Sequence, residues 1–307
     1  MTAMLHQVFY WLFNMSITAA LTGLPVLLLR RVRWLPRRVL LWLWWIPFLR
    51  MTVPVGISSR YSLLSLLTRA TARTVFLPGW EKVLSSMNYI QAAEEYFPIR
   101  YRAAALAAVF RTAAVVWAAV LGGILVLLLL AYGENIRLAR RAKPLEGRVY
   151  ISGEVSVPGV YGILRPRILV PEGCREAGLA MLLLHEGVHL RRGDNLWRLL
   201  GIVTAAVHWF NPLGWVFLKC FFEDLELSCD ERVLEALGAD RRQEYARFLL
   251  EAGERGGLFA SSLGGGKLRT RIGHILSFRR VTRLSLGLFL VLTGIVFYLL
   301  MTNGGYR

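Results

Sequence analysis

Acid is scarce in this sequence. Asp and Glu number 20 against 37 Lys and Arg, a formal net charge of +17. An excess of that sign raises two partners, nucleic acid and an anionic membrane surface. Cysteine is scarcer still: Cys174, Cys220 and Cys229, with no CxxC spacing. That odd count fits reduced thiols on a cytoplasmic side better than a disulfide framework. There is no internal repeat and no low-complexity tract. What is plentiful is apolar sequence. Hydrophobic residues make up 55% of the 307 and the mean hydropathy is +0.47, too apolar for an ordinary soluble protein. The length allows two domains.

Residues 8–29 are nearly continuous apolar sequence, enough to cross a bilayer. No basic segment precedes them and no small-residue cleavage site follows, so they read as a retained membrane helix rather than a signal peptide. Five arginines then fall within residues 30–38, and a second, tryptophan-rich apolar run covers 39–55. The positive-inside rule puts this basic turn in the cytoplasm and the N-terminus outside. Nine residues between two spans leave little room for a duplex, so topology accounts for the arginines better than nucleic acid does. Residues 57–103 are mixed in character and read as an extracellular or interfacial loop. A third span occupies 112–132 within a segment 104–134, and the basic run 136–143 returns the chain to the cytoplasm. Residues 135–283 are less apolar. A fourth span follows at 284–302, with a short outer tail at 303–307.

Within 135–283, residues 149–152 and 155–164 carry β-branched residues broken by glycine and proline, the pattern of short strands. Residues 162–171 read as a turn between two strands. Helix is expected from about 175, broken or recapped at Gly193-Asp194-Asn195. A second helix is expected over 196–209. A third starts at Asn211-Pro212 and stops at Gly238, and a fourth covers 240–252. Residues 253–267 are rich in glycine and serine and read as flexible. Residues 268–283 are basic and amphipathic.

The first of these helices carries His185-Glu186-Gly187-Val188-His189. Histidines four apart project from one helix face, so His185 and His189 can hold one zinc ion. Glu186 is placed to take a proton from a water there. A zinc protease needs a third protein ligand and an open position. The densest acidic stretch, residues 222–231, lies downstream on the third helix. Glu223, Glu226 and Asp230 share one face of it, and spacing alone does not choose between Glu223 and Glu226.

Taken together, His185-Glu186-Gly187-Val188-His189, His208-Trp209-Phe210-Asn211-Pro212 and Glu226-Leu227-Ser228-Cys229-Asp230-Glu231 resemble the BlaR/MecR family of membrane metallopeptidases, the β-lactam-sensing transducers and their relatives. Residues 162–171 are similar to that family's segment before its zinc helix, and the layout of three spans, a cytoplasmic zinc domain and a fourth span is similar as well. The resemblance implies a mainly α membrane protein with a cytoplasmic α+β, zincin-like (gluzincin) metalloprotease domain between the third and fourth transmembrane helices.

It also implies Zn²⁺ as cofactor, Glu226 as third ligand and Asp230 as a partner orienting a ligand histidine. Asp194 is either another such partner or a helix cap. His208 is either an oxyanion donor or a packed histidine with a satisfied ring. Cys229 fits a small buried residue better than a fourth ligand, because a closed shell would block catalysis. The implied substrates are cytoplasmic proteins, a transcriptional repressor among them, and the chain itself, with residues 253–280 as the candidate self-cleavage segment. Residues 168–170 are a candidate substrate-binding strand.

The chain stops six residues after Met301 and carries no Ser-x-x-Lys motif outside the membrane, so direct β-lactam sensing is not expected of it. The expected partners are a protein substrate, membrane lipid and a second copy of the chain, without direct nucleic acid. Two alternatives stand beside this reading: a housekeeping membrane zinc peptidase of broad specificity, and a signalling scaffold that binds without cutting.

Overall fold

The helices dominate because apolar runs do. In the computed structural model, which describes residues 2–32, 35–53, 58–59, 61–62, 104–173, 176–254, 265–278 and 283–304, α1 spans Thr2–Leu29. Its polar residues Asn14, Thr18 and Thr22 are buried and donate to the helix's own carbonyls. Asn14 donates to the Tyr10 carbonyl at 2.8 Å, and Thr18 and Thr22 donate to carbonyls four residues back at 3.1 and 3.0 Å. In an apolar setting such back-bonding removes the cost of a buried hydroxyl.

The run expected as a single second span is two short helices, α2 (Arg37–Leu43) and α3 (Trp45–Thr52). Pro47 explains the break. It has no N–H for the carbonyl of Leu43, where α2 ends, and its ring crowds that carbonyl. α4 (Ala104–Arg141) is one continuous helix of 38 residues. At about 1.5 Å per residue it is longer than a hydrocarbon core of about 30 Å requires, and the expected boundary at 134/135 falls inside it.

Among the described residues, two helices are long and apolar enough to cross a membrane, Met4–Leu29 and Ala108–Arg141. The expected fourth span is α10 (Arg283–Met301), whose apolar portion Gly287–Met301 is shorter. The expected loop 57–103 lies outside the described residues, apart from Ser58, Ser59, Tyr61 and Ser62.

The chain divides into two compact units. The first holds Met1–Leu125, Gly201–Phe221 and Arg283–Arg307; the second holds Val126–Leu200 and Phe222–Thr282. In the first, Phe9, Tyr10, Phe110, Ala114 and Trp117 form an aromatic core, and the Trp117 indole donates to the Val207 carbonyl at 2.8 Å. Gly23 faces the Phe217 ring so closely that a Cβ would sit 2.2 Å from it. Arg50, 1% exposed, donates from Nε and Nη2 to the Leu300 carbonyl (3.1 and 2.8 Å) and from Nη2 to that of Thr302 (2.7 Å). It thus closes the C-terminal end of α10. Ser62 also donates to Thr302 at 2.5 Å. A two-residue strand β1 (Ser58–Ser59) pairs in parallel with β6 (Asn303–Gly304).

The second unit contains a four-stranded sheet in the order β2-β3-β5-β4, with β2 at Lys143–Glu146, β3 at Val149–Ser152, β4 at Gly159–Tyr161 and β5 at Arg167–Pro171. β3 and β5 are parallel and the outer pairs antiparallel. Alternation along β5 buries both faces. Ile168 and Val170 pack with Leu182 of α5 (Glu176–Arg192), while Leu169 packs with Ala139, Ala142 and Val155. Gly193, at φ +65°, ends α5. α6 (Asp194–Val207) follows at once, then α7 (Pro212–Leu237), N-capped by Asn211 Oδ1 on the Leu213 N–H at 3.0 Å and closed by Gly238 at φ +95°.

α8 (Arg242–Glu254) and α9 (Gly265–Leu276) complete this unit. Within the candidate self-cleavage segment 253–280, the expected amphipathic stretch from 268 is packed: Ile275 and Phe278 are buried in the core with Val233, Leu234, Tyr245 and Leu249, and α9 takes in 265–267 of the stretch expected to be flexible. Residues 255–264 lie outside the described residues.

Candidate metal centre

Every group of this site belongs to the second unit. α5 presents His185 and His189 one turn apart, 3% and 6% exposed. Their Nε2 atoms face each other at 3.2 Å. Two donors bound to one tetrahedral zinc at about 2.0–2.1 Å stand about 3.3–3.4 Å apart, so the spacing fits a shared ion. The far side of each ring is held. His189 Nδ1 lies 2.5 Å from Asp194 Oδ2, and Asp194 is anchored by Arg192 through Nε at 2.9 Å and Nη2 at 2.7 Å. The turn at Gly193 makes this possible by starting α6 so soon after α5.

His185 Nδ1 lies 2.9 Å from the Tyr245 hydroxyl, which donates to Asp230 Oδ1 at 2.8 Å. Burial, then the Asp230 charge, pushes the Tyr245 pKa well up, so the phenol keeps its proton. The ring of His185 therefore donates from Nδ1, and its Nε2 lone pair is left for a metal.

Glu226 on α7 faces both Nε2 atoms, with Oε2 3.7 Å from His185 and Oε1 3.7 Å from His189. Arg198 pairs with its Oε1, and Arg271 Nη1 lies 3.3 Å from Oε2. Burial raises the Glu226 pKa, but the charge of His189, hydrogen bonds from both histidines and the charge of Arg198 outweigh it and hold the group well below the carboxylate range. Burial lowers the histidines, yet Cys229 and then the Glu226 hydrogen bond lift His185 to about 9; His189 is lifted well above its usual value by Cys229, Glu226 and Asp194. Surroundings that favour a proton this strongly also favour a metal cation.

Cys229 competes for the role of third ligand, since its sulfur and the two imidazoles offer donor atoms within 4.8 Å of one another. Its Sγ, however, lies 3.5 Å from His185 Nδ1, the nitrogen already held by Tyr245. The two Nε2 atoms, by contrast, each have a Glu226 oxygen at 3.7 Å.

Glu186 is 6% exposed. Among the described residues no cation pairs with it, in contrast to Glu226. Tyr161 of β4 lies near enough that burial and then the Glu186 charge raise the Tyr161 pKa.

His208 belongs to the first unit. Its Nδ1 meets Ser16 Oγ at 2.5 Å and its Nε2 the Met51 carbonyl at 2.9 Å. As packed, both ring nitrogens are taken, the arrangement of a satisfied core histidine, and no N–H is left for an oxyanion. The structure adds residues that spacing did not single out: Tyr245, Arg271 and Arg198 around the donors, and Asn195, whose amide donates to the carbonyls of Val160 (2.8 Å) and Gly162 (2.9 Å) in and just after the edge strand β4.

Comparisons with known proteins give the family. The family model described as BlaR1 peptidase M56 matches residues 10–275. Regulatory protein BlaR1 of Bacillus licheniformis is 31% identical over 100 residues, covering 32% of this chain and 17% of that protein. The methicillin resistance mecR1 proteins of Staphylococcus aureus and Staphylococcus epidermidis are each 26% identical over 104 residues, 33% of this chain and 18% of theirs. The aligned part thus spans less than a fifth of the length of these relatives. With a family match over most of its length, the chain belongs to the BlaR1 peptidase M56 family.

Proposed function

We propose that this chain is an integral-membrane, zinc-dependent endopeptidase that acts in transmembrane signalling by cutting a cytoplasmic regulatory protein. One observation carries the reading: two imidazoles turn their Nε2 atoms to each other at 3.2 Å, and each ring is held from behind by a different partner. His185, His189 and Glu226 would hold the metal. Zinc there would acidify a water and polarise a peptide carbonyl.

Glu186, next to the ligand pair and without a cationic partner among the described residues, takes the proton of the attacking water and passes it to the leaving amine. Asp194 and Tyr245 keep both rings in the tautomer that leaves Nε2 unprotonated. An extended substrate adds to the sheet at β4. The residues expected for this, 168–170, belong to β5, which is already paired on both sides. β4 is an edge strand, and its Tyr161 lies close to Glu186.

The relatives support the signalling context through their names, a regulatory protein and methicillin resistance proteins. The resemblance in the motifs supports a repressor-like cytoplasmic substrate, and the two apolar helices support a multi-pass membrane location. Self-cleavage within 265–278 requires α9 to leave its core packing first.

The test is intact mass over time for the purified chain in lipid, with one zinc per chain, beside Glu186→Ala. A fragment seen only in the wild type and abolished by chelator establishes the peptidase. A wild-type chain that binds no zinc overturns it.

A further inference from the structure

We propose that Arg271 is a positioning residue of the metal centre, through which helix α9 sets both the third ligand and the support behind the first. The proposal rests on His185, His189 and Glu226 as the ligand set. Arg271 is 4% exposed, and a guanidinium is buried at acceptable cost only where charge and hydrogen bonds compensate it. Here its fork grips Asp230 at both oxygens, Nε to Oδ2 at 2.8 Å and Nη2 to Oδ1 at 2.6 Å, while Nη1 lies 3.3 Å from Glu226 Oε2.

Two paths therefore lead from Arg271 to donor atoms. One goes directly to the Glu226 carboxylate. The other runs through Asp230 and the Tyr245 hydroxyl to His185 Nδ1. The grip also has a selective effect. Asp230 lies one turn from Glu226 on α7, and with both its oxygens engaged it cannot swing in as a rival ligand.

Arg271 is placed by the apolar face of α9. Leu268, Ile272 and Ile275 follow helical spacing and pack on the core formed by Val233, Leu234, Tyr245 and Leu249. His274 adds a contact to Glu231 at 3.1 Å. Docking of α9 and the geometry of the donors are thereby one cooperative arrangement, in a segment that composition presents as a basic tether.

The test measures the zinc dissociation constant by chelator competition, and thermal unfolding with and without zinc, on the full chain in lipid. Arg271→Gln is expected to weaken zinc by about 10–100-fold, the usual loss when a partner behind a ligand is removed. Arg271→Lys, which keeps the charge but not the fork, should recover part of the loss. Ile275→Ala, which loosens the docking of α9 but keeps the fork on Asp230, should lower stability with and without zinc and weaken zinc by less than Arg271→Gln does. Combining Arg271→Gln with Tyr245→Phe should cost less than the sum of the two, because both act on His185 along one path.

Unchanged or tighter zinc binding in Arg271→Gln overturns the proposal, since loss of a nearby positive charge alone would tighten it. Should Arg271→Gln fail to fold, Arg271→Lys and Asp230→Asn give the same reading. The underlying ligand assignment is checked separately: zinc that binds the wild type equally well after His185→Ala removes that assignment and the proposal together, whereas zinc lost in His185→Ala but kept in Arg271→Gln removes the proposal alone.

Discussion

The molecule buries histidine in two different ways. His208, in the first unit, is surrounded by neutral groups: a serine hydroxyl on one nitrogen and a backbone carbonyl on the other. His185 and His189, in the second, turn one nitrogen each toward the other and toward Glu226, with their opposite nitrogens held by Tyr245 and Asp194. All three are nearly inaccessible to solvent. Burial by itself therefore does not mark a metal site. What separates the two is where the lone pairs point and how much negative charge surrounds them.

The sharpest way to break the contrast is at Glu186. Glu186→Gln should leave zinc bound and lower the peptidase rate by roughly 10²–10⁴-fold, the range for a lost acid–base group, measured by turnover of a protein substrate beside zinc content. A rate near that of the wild type would take the proton-transfer role away from this residue. Asp194→Asn comes next, with zinc affinity falling by about 10–100-fold in chelator competition, because His189 loses the acceptor that fixes its tautomer.

Dependence on pH sharpens the comparison further. In the metal-free fold Cys229 and then Glu226 outweigh burial and lift His185 from 6.5 to about 9. A raised folded value means that the charged pair stabilises the metal-free chain fully below about 6.5 and that this contribution is lost as pH rises through 9. Zinc affinity must climb over the same window as protons leave the imidazoles. Glu226 has the opposite sign: its depressed pKa keeps the carboxylate charged, and its contribution is lost only as pH falls into the acid range. Melting curves with and without zinc between pH 6 and 9.5 should converge at the acid end and separate at the alkaline end. The smallest effect on zinc is expected from His208→Ala, which should leave zinc affinity unchanged and lower stability by about 1–3 kcal/mol by stranding the Ser16 and Met51 groups. Zinc loss in that variant would end the contrast.

Local signals were strong in the sequence. Asn211-Pro212 and Gly238 bracket α7 as written because caps are local chemistry, and the histidine pair shows itself because helical spacing is also local. Glu226 against Glu223 needed the three-dimensional arrangement or a family likeness, since both share a helix face. Tyr245 and Arg271 could not be read at all. Each belongs to a helix whose pattern looks like ordinary core or basic surface, and each reaches its partner across a long stretch of chain. The break between α2 and α3 was legible in Pro47 but was overridden by the apolar run around it. β4 was legible within the strand pattern of 155–164, and Pro158 and Gly162 confine it to three residues.

Arg50 has a mechanical consequence. Its three hydrogen bonds to the last carbonyls of α10, together with Ser62 and the paired strands β1 and β6, join the end of that helix to residues 50–62. A tension applied at Gly304 therefore enters the fold at these residues as shear across parallel bonds, and is shared with α3 rather than borne by α10 alone.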